Sequence, residues 1–166
     1  MMSRRDELIY FERIWHEKHK GFYNDSDPEQ RLRNIYYTDF FEKPDDKFFL
    51  YVDAHQLLRG SCHLFALSLS KILGYSPYLI EDKSGGFHAF CQVYKNNQLF
   101  YIDARGVTTS FDEFMDVAGE FVVGEFCVRR ISGQEIEEWE SNEECYEEAL
   151  AFAEVVIKEY EDCYRV

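Results

Sequence analysis

Residues 61–73 read SCHLFALSLSKIL, and the run ends at Gly74. Cys62, Phe65, Ala66, Leu69, Ile72 and Leu73 recur every three or four residues, the spacing of one face of an α-helix. A glycine just past such a stripe is a natural helix stop, because it enters the left-handed region without strain. Further on, residues 86–94 (GFHAFCQVY) and 99–103 (LFYID) are β-rich runs on either side of Lys95-Asn96-Asn97-Gln98. Two such runs around a short polar segment predict an antiparallel hairpin. A cysteine-bearing helix followed by a hairpin decides the expected fold.

Outward from this centre, residues 78–81 form a short strand candidate. Ser110 and Glu113 match a capping box for a helix over about 111–117. Residues 121–131 read as a strand interrupted by Gly124. Two more capping boxes, Ser132 with Glu135 and Ser141 with Glu144, open helical segments. Tyr146, Leu150, Ala153, Ile157, Tyr160 and Tyr164 then make an apolar stripe on a helix from about 142 to 163. The stripe is expected to pack on the core, with a homodimer seam as the alternative. Near the start, Leu8, Phe11 and Trp15 mark a helix over 5–19. Asp27-Pro28-Glu29-Gln30 opens a second one, ending near Tyr36. Residues 39–47, with Pro44, read as loop. Helices, then a helix with antiparallel strands, then helices define an α+β class. The chain is read as one domain, 1–166. Its core is about 50–131, flanked by an N-terminal helical part, 1–49, and an acidic C-terminal helical part, 132–166.

Composition narrows the function. Of 166 residues, 46% are hydrophobic and 17% aromatic, too many for a chain that stays disordered. The net charge is -14, and residues 120–166 hold 14 acids against 4 bases. Phosphate-binding surfaces need clustered lysine and arginine, so no direct nucleic-acid binding is expected. The acidic tail is expected to be a solvated helix face; the sharper reading is a surface for a basic partner. No run is long and apolar enough for a membrane span, and MMSRRDELIY lacks the apolar stretch of a secretory signal. A reducing cytoplasm with free thiols is the expected setting. Cys62, Cys91, Cys127, Cys145 and Cys163 contain no CxxC pair, and with His55, His63 and His88 they fit no usual zinc spacing, so no metal and no cofactor is expected.

Three residues form a chemical constellation on this map. Cys62 sits at the first turn of the helix, where unpaired N–H groups and about half a positive charge favour thiolate over thiol. The same N–H groups suit a developing oxyanion. A symmetric Lys95–Gln98 turn makes Tyr94 face Leu99 and Phe90 face Asp103, so His88, Phe90 and Asp103 share one face of the hairpin. His88 and Asp103 are then diagonal neighbours within side-chain reach. The carboxylate can hold one ring nitrogen and leave the other for the thiol, which is the logic of nucleophile, base and orienting group. A three-residue turn would put Asp103 on the other face. Phe90, on the same face, is the candidate substrate contact, while Phe87 and Tyr101 are read as core.

The segments GSCHLFALSLSKILGYSP, FHAFCQVY and LFYIDARG, between Gly60 and Gly106, resemble the core of the transglutaminase-like, papain-related cysteine superfamily. That resemblance implies Cys62 as nucleophile, His88 as general base and acid, and Asp103 as orienting carboxylate. Papain-like enzymes carry an oxyanion-hole glutamine six residues before the cysteine, and Gln56 stands there. The match departs from the family pattern: the only tryptophans, Trp15 and Trp139, do not lie just upstream of Cys62, where transglutaminases often have an oxyanion donor. Arg59-Gly60-Ser61-Cys62 is also one residue short of the Arg-Gly-Gly-x-Cys motif of arylamine N-acetyltransferases. The implied activity is acyl transfer on amide groups of a protein or peptide through a thioester, as a protease, a glutamine deamidase or a transglutaminase. The alternative is a non-catalytic acidic interaction or inhibitor protein built on the same scaffold.

Overall fold

The computed structural model describes residue 57 and residues 60–141, 143–159 and 161–166. The helices expected over 5–19 and from Asp27, the loop over 39–47 and the oxyanion candidate Gln56 lie outside the described residues. Helix α1, Cys62–Leu73, ends at Gly74 with φ 74°, the left-handed stop that its position after the stripe predicts.

Five strands follow: β1 Ser76–Asp82, β2 Phe87–Lys95, β3 Gln98–Asp103, β4 Gly106–Thr108 and β5 Phe126–Arg130. They form one sheet in the order β4-β3-β2-β1-β5. Every neighbouring pair is antiparallel. The β2–β3 hairpin closes at Lys95↔Gln98 and pairs Tyr94 with Leu99. Its two loop residues, Asn96 and Asn97, have φ 51° and 61°. Asparagine tolerates this left-handed region, and such a two-residue turn matches the twist of the flanking strands.

Side chains alternate across the sheet, so each strand feeds two apolar layers. Leu79, Ala89, Cys91 and Ile102 pack with Phe65, Leu69 and other residues of α1. Helix α4, Glu143–Glu159, lies on the far side of α1 and buries Tyr146, Ala149, Ala153 and Ile157 in the same layer. Covered by sheet and helix together, α1 buries nearly all of its first two turns. On the opposite face, Ile80 and Phe90 pack with Phe114, Ala118 and Val122 from the region of helix α2, Phe111–Phe121.

Several boundaries differ from the sequence reading. Helix α2 runs to Phe121 because Phe114, Val117 and Ala118 follow helical spacing and are buried. The strand read over 121–131 therefore shortens to β5. The three-residue β4 carries no periodicity of its own and is held by pairing with β3. Ser110 accepts from the Glu113 amide, but the Glu113 carboxylate turns to Thr108 Oγ1 at 2.8 Å, so only half of that capping box forms. Ser132 and Glu135 form the full box that opens α3, Gly133–Glu140. The Ser141 hydroxyl instead donates to Glu138 O. Of the helix expected over 142–163, the described residues give α4 and α5, Glu161–Tyr164. Tyr146, Ala153, Ile157 and Tyr164 of the stripe are buried against the chain's own core. Among the described residues no helix is long and apolar enough to cross a membrane.

Candidate active site

Cys62 is the first residue of α1. Ser61, at the N-cap, offers no side-chain cap. The amides of Leu64 and Phe65 both return to Ser61 O, at 3.0 and 3.3 Å. The N–H groups of Cys62 and His63 precede them and have no acceptor within the helix. The helix thus presents positive potential and two backbone donors beside the sulfur.

The hairpin brings the partner groups. Pairing between β2 and β3 reaches Cys91↔Ile102, and two residues back along β2 the Ala89 N–H donates to Cys62 Sγ at 3.3 Å. Next to Ala89, the His88 ring is fully buried on the α2 face. It stacks on Phe121 (6.4 Å between centroids, 11° between planes) and touches Phe114 at 5.8 Å. Its Nε2 lies 3.1 Å from Asp103 Oδ2. Its Nδ1 is buried and makes no hydrogen bond of ordinary geometry, and the Cys62 thiol acts on the ring's charge.

Asp103 is held in turn. Its Oδ1 accepts from the Arg105 amide at 3.0 Å and from Arg105 Nε at 3.1 Å. Its Oδ2 accepts from Arg105 Nη2 at 2.6 Å, as well as facing His88. Arg105 is itself buried and donates to the carbonyls of Glu113 and Phe114 in α2, at 3.0 and 3.1 Å. Behind His88, Asp82 clamps the β1–β2 turn by accepting from Ser84 N, Ser84 Oγ and Gly86 N. The same carboxylate accepts from Val123 N at 2.7 Å, tying the turn to the end of α2.

These contacts set the charges. Burial, the largest influence on Cys62, would raise its pKa. Hydrogen bonding with His63 and His88, the His88 charge and the Ala89 amide outweigh it and lower the thiol from 9.0 to about 6. Burial would likewise lower His88, but its hydrogen bonds and charge interactions with Asp103 and Cys62 raise it from 6.5 to about 9. Burial works against the Asp103 carboxylate too; the Arg105 charge and the bonds from His88 and Arg105 hold it well below the usual carboxylate range. The consistent state is a thiolate–imidazolium pair backed by an ionised aspartate and a buried arginine. Cys91 is the contrast: burial pushes its thiol up, and its S–H donates to Ala66 O at 3.2 Å.

The structure thus brings together Cys62, His88 and Asp103. It does not bring Phe90 to them as a substrate contact. Phe90 shares the His88 face, as parity requires, but is 0% exposed and packs on Phe114 at 4.6 Å and on Tyr101 and Tyr78. The physical reason is α2, which covers that face and turns it into core. Arg105 is the residue the sequence reading missed. Its signal was an arginine two positions after a strand-end aspartate, a spacing that lets backbone and guanidinium grip one carboxylate. No protein-family model, curated protein or solved structure matches this chain.

Proposed function

We propose that this protein is a cysteine-dependent acyl-transfer enzyme acting on amide groups of a protein or peptide. The observation that carries the reading is the His88 ring, held at Nε2 by Asp103 and next in β2 to Ala89, whose amide donates to the sulfur that opens α1. In the first step the Cys62 sulfur forms a bond to the carbonyl carbon, and the π electrons move to oxygen. The N–H groups of Cys62 and His63, which have no acceptor within the helix, suit that oxyanion. His88 passes its proton to the departing nitrogen as the C–N bond breaks, leaving a thioester. His88 then takes a proton from the incoming acceptor. Water as acceptor gives hydrolysis of a peptide bond or deamidation of glutamine; an amine gives transamidation. The Gly60–Gly106 resemblance to the transglutaminase-like and papain-related enzymes supports the same chemistry.

The test compares the wild-type chain with Cys62→Ala in three assays: peptide cleavage, ammonia release from a glutamine-containing protein, and incorporation of a labelled primary amine. Activity in any of them that vanishes in Cys62→Ala supports the reading. Silence in all three, with a Cys62 that iodoacetamide reaches only after denaturation, removes it.

A second reading rests on burial: Cys62 is 7% exposed and His88 0%. A scaffold whose site is closed can serve as an acidic interaction or inhibitor protein, with the acid surplus of residues 120–166 meeting a basic partner. On that reading Cys62→Ala keeps the biological effect, while charge reversal at Glu143, Glu144, Glu147 and Glu148 abolishes it.

A further inference from the structure

The two edges of the sheet are finished differently. β4 is three residues long and lies against α5, where a Cβ at Gly106 would stand 2.8 Å from Cys163 O. β5, at the other edge, pairs with β1 alone among the described residues. The Ile131 N–H donates to Pro77 O at 3.1 Å, which fixes the alternation of this antiparallel ladder. Cys127 and Arg129 therefore turn their backbone groups to β1, while Phe126 and Val128 turn theirs outward. Natural sheet edges are blunted by prolines, charges or a covering segment. From Phe126 to Val128 the strand has neither proline nor charge. Phe126 and Val128 are 44% and 41% exposed, and Phe126 meets Phe111, itself 38% exposed, on the α2 face. On the other face Cys127 is an exposed free thiol, and Arg129 is held in place by Glu81 and Glu135. Just before the strand stands the exposed Glu125, 2.6 Å from Lys83.

We propose that β5 pairs with β5 of a second copy of this chain, antiparallel about a two-fold axis at Cys127, joining the two sheets into one. Paired residues must turn their backbone groups the same way, so the axis falls on a residue and three registers bring the strands together. Centred on Val128, the axis sets Cys127 opposite Arg129 and Phe126 opposite Arg130. Centred on Phe126, it sets Glu125 opposite Cys127. Centred on Cys127, it sets Phe126 opposite Val128 on one face and Glu125 opposite Arg129 on the other. Only this last register matches apolar with apolar and acid with base, and it does so twice by symmetry. The outward N–H of Val128 then donates to the Phe126 carbonyl of the second copy, and the Phe126 N–H to its Val128 carbonyl. This self-complementarity is what makes the occupant another copy of the chain. So short a pairing belongs at the small end of interfaces, so the dimer forms and parts with concentration. It uses no residue of the Cys62 site, and Cys62→Ala should assemble as the wild type does.

The test is sedimentation velocity of the full chain at rising concentration, with amide hydrogen exchange followed on the same samples. The wild type should pass from one chain to two, and the Phe126 and Val128 amides should exchange more slowly in the concentrated sample. Val128→Pro removes an outward N–H and no bond to β1, a change an edge strand tolerates. It should weaken association at least about tenfold, since each copy loses a bond across the axis. Glu125→Arg, at an exposed position, sets like charge against Arg129 and should weaken association as well; it decides the matter where Val128→Pro does not fold. Diamide, which takes one hydrogen from each of two thiols, should link Cys127 to Cys127, because a non-bonded antiparallel pair stands about 4.5 Å apart between Cα atoms, within disulfide range. A chain that stays single at every concentration overturns the proposal. So does a single chain whose Phe126 and Val128 amides are already protected, because another segment then holds the edge. A dimer that neither variant weakens, and that diamide does not link through Cys127, uses another face and overturns it too.

Discussion

Arg105 grips Asp103 at both carboxylate oxygens, Nε to Oδ1 at 3.1 Å and Nη2 to Oδ2 at 2.6 Å, with both residues buried. The pair lies two residues apart at the end of β3, and the guanidinium also reaches the carbonyls of Glu113 and Phe114. One arginine therefore fixes the charge of the aspartate, the direction of its Oδ2 toward His88, and the docking of α2 on the sheet.

Arg105→Ala should leave that buried carboxylate with only His88 to meet its charge. Breaking a buried pair from one side costs about 3–5 kcal/mol, so urea unfolding should show a loss of this size. Arg105→Lys keeps the charge but not the two-pronged grip, and should recover only part of it. A loss below about 1 kcal/mol for Arg105→Ala would mean that the pair contributes little.

Asp103→Asn should keep the shape and lose the orienting charge. Proton transfer by a positioned group is worth about 10²–10⁴-fold, and turnover should fall within that range. Because Asp103 raises the His88 pKa, the exchange should also lower it, which NMR titration of the ring can follow.

The pH profile follows from the two shifted groups. Cys62, lowered to about 6, is thiolate above that value; His88, raised to about 9, is protonated below it. The ion pair exists between them. The kcat/KM of the wild type should rise through about pH 6 and fall through about pH 9. In Asp103→Asn the upper limb should move to lower pH.

Gly86→Ala should disturb the site from outside. A Cβ at position 86 would stand 2.0 Å from the Phe121 carbonyl oxygen, a backbone atom that cannot rotate away. The turn and the end of α2 must separate, and the His88–Phe121 stack should open with them. Overpacking of this kind costs about 1–3 kcal/mol; a calorimetric scan should show the lower midpoint.

Tyr164→Phe tests the support behind β3. The buried Tyr164 hydroxyl donates to Ala104 O at 2.5 Å, between Asp103 and Arg105 in the chain. Its removal should cost about 0.5–1.5 kcal/mol by chemical denaturation.

The hairpin was legible residue by residue. Alternation and the Asn96-Asn97 turn sufficed to put His88, Phe90 and Asp103 on one face, and the observed Tyr94↔Leu99 register agrees. Helix α1 was legible too, from its stripe and from Gly74. Phe90 shows where such reading stops. Strand parity says which face a side chain takes, but not what covers that face. The residues that cover it come from α2, whose extent past Val117 depends on burial against strands distant in sequence. The bonds made by Asp82, by Arg105 to α2 and by the Tyr164 hydroxyl were not legible, because each depends on partners brought in by folding.

By itself the sequence determined the local parts: a cysteine at a helix start, a two-residue turn, and a histidine and an aspartate in matching phase. Periodicity and turn chemistry are properties of neighbouring residues, so a linear reading captures them. Only the tertiary structure decided that the Ala89 amide would meet the sulfur, that Arg105 would tie Asp103 to α2, and that the His88 face would be closed by aromatic rings. Those outcomes depend on distances between segments far apart in the chain, and packing alone sets such distances.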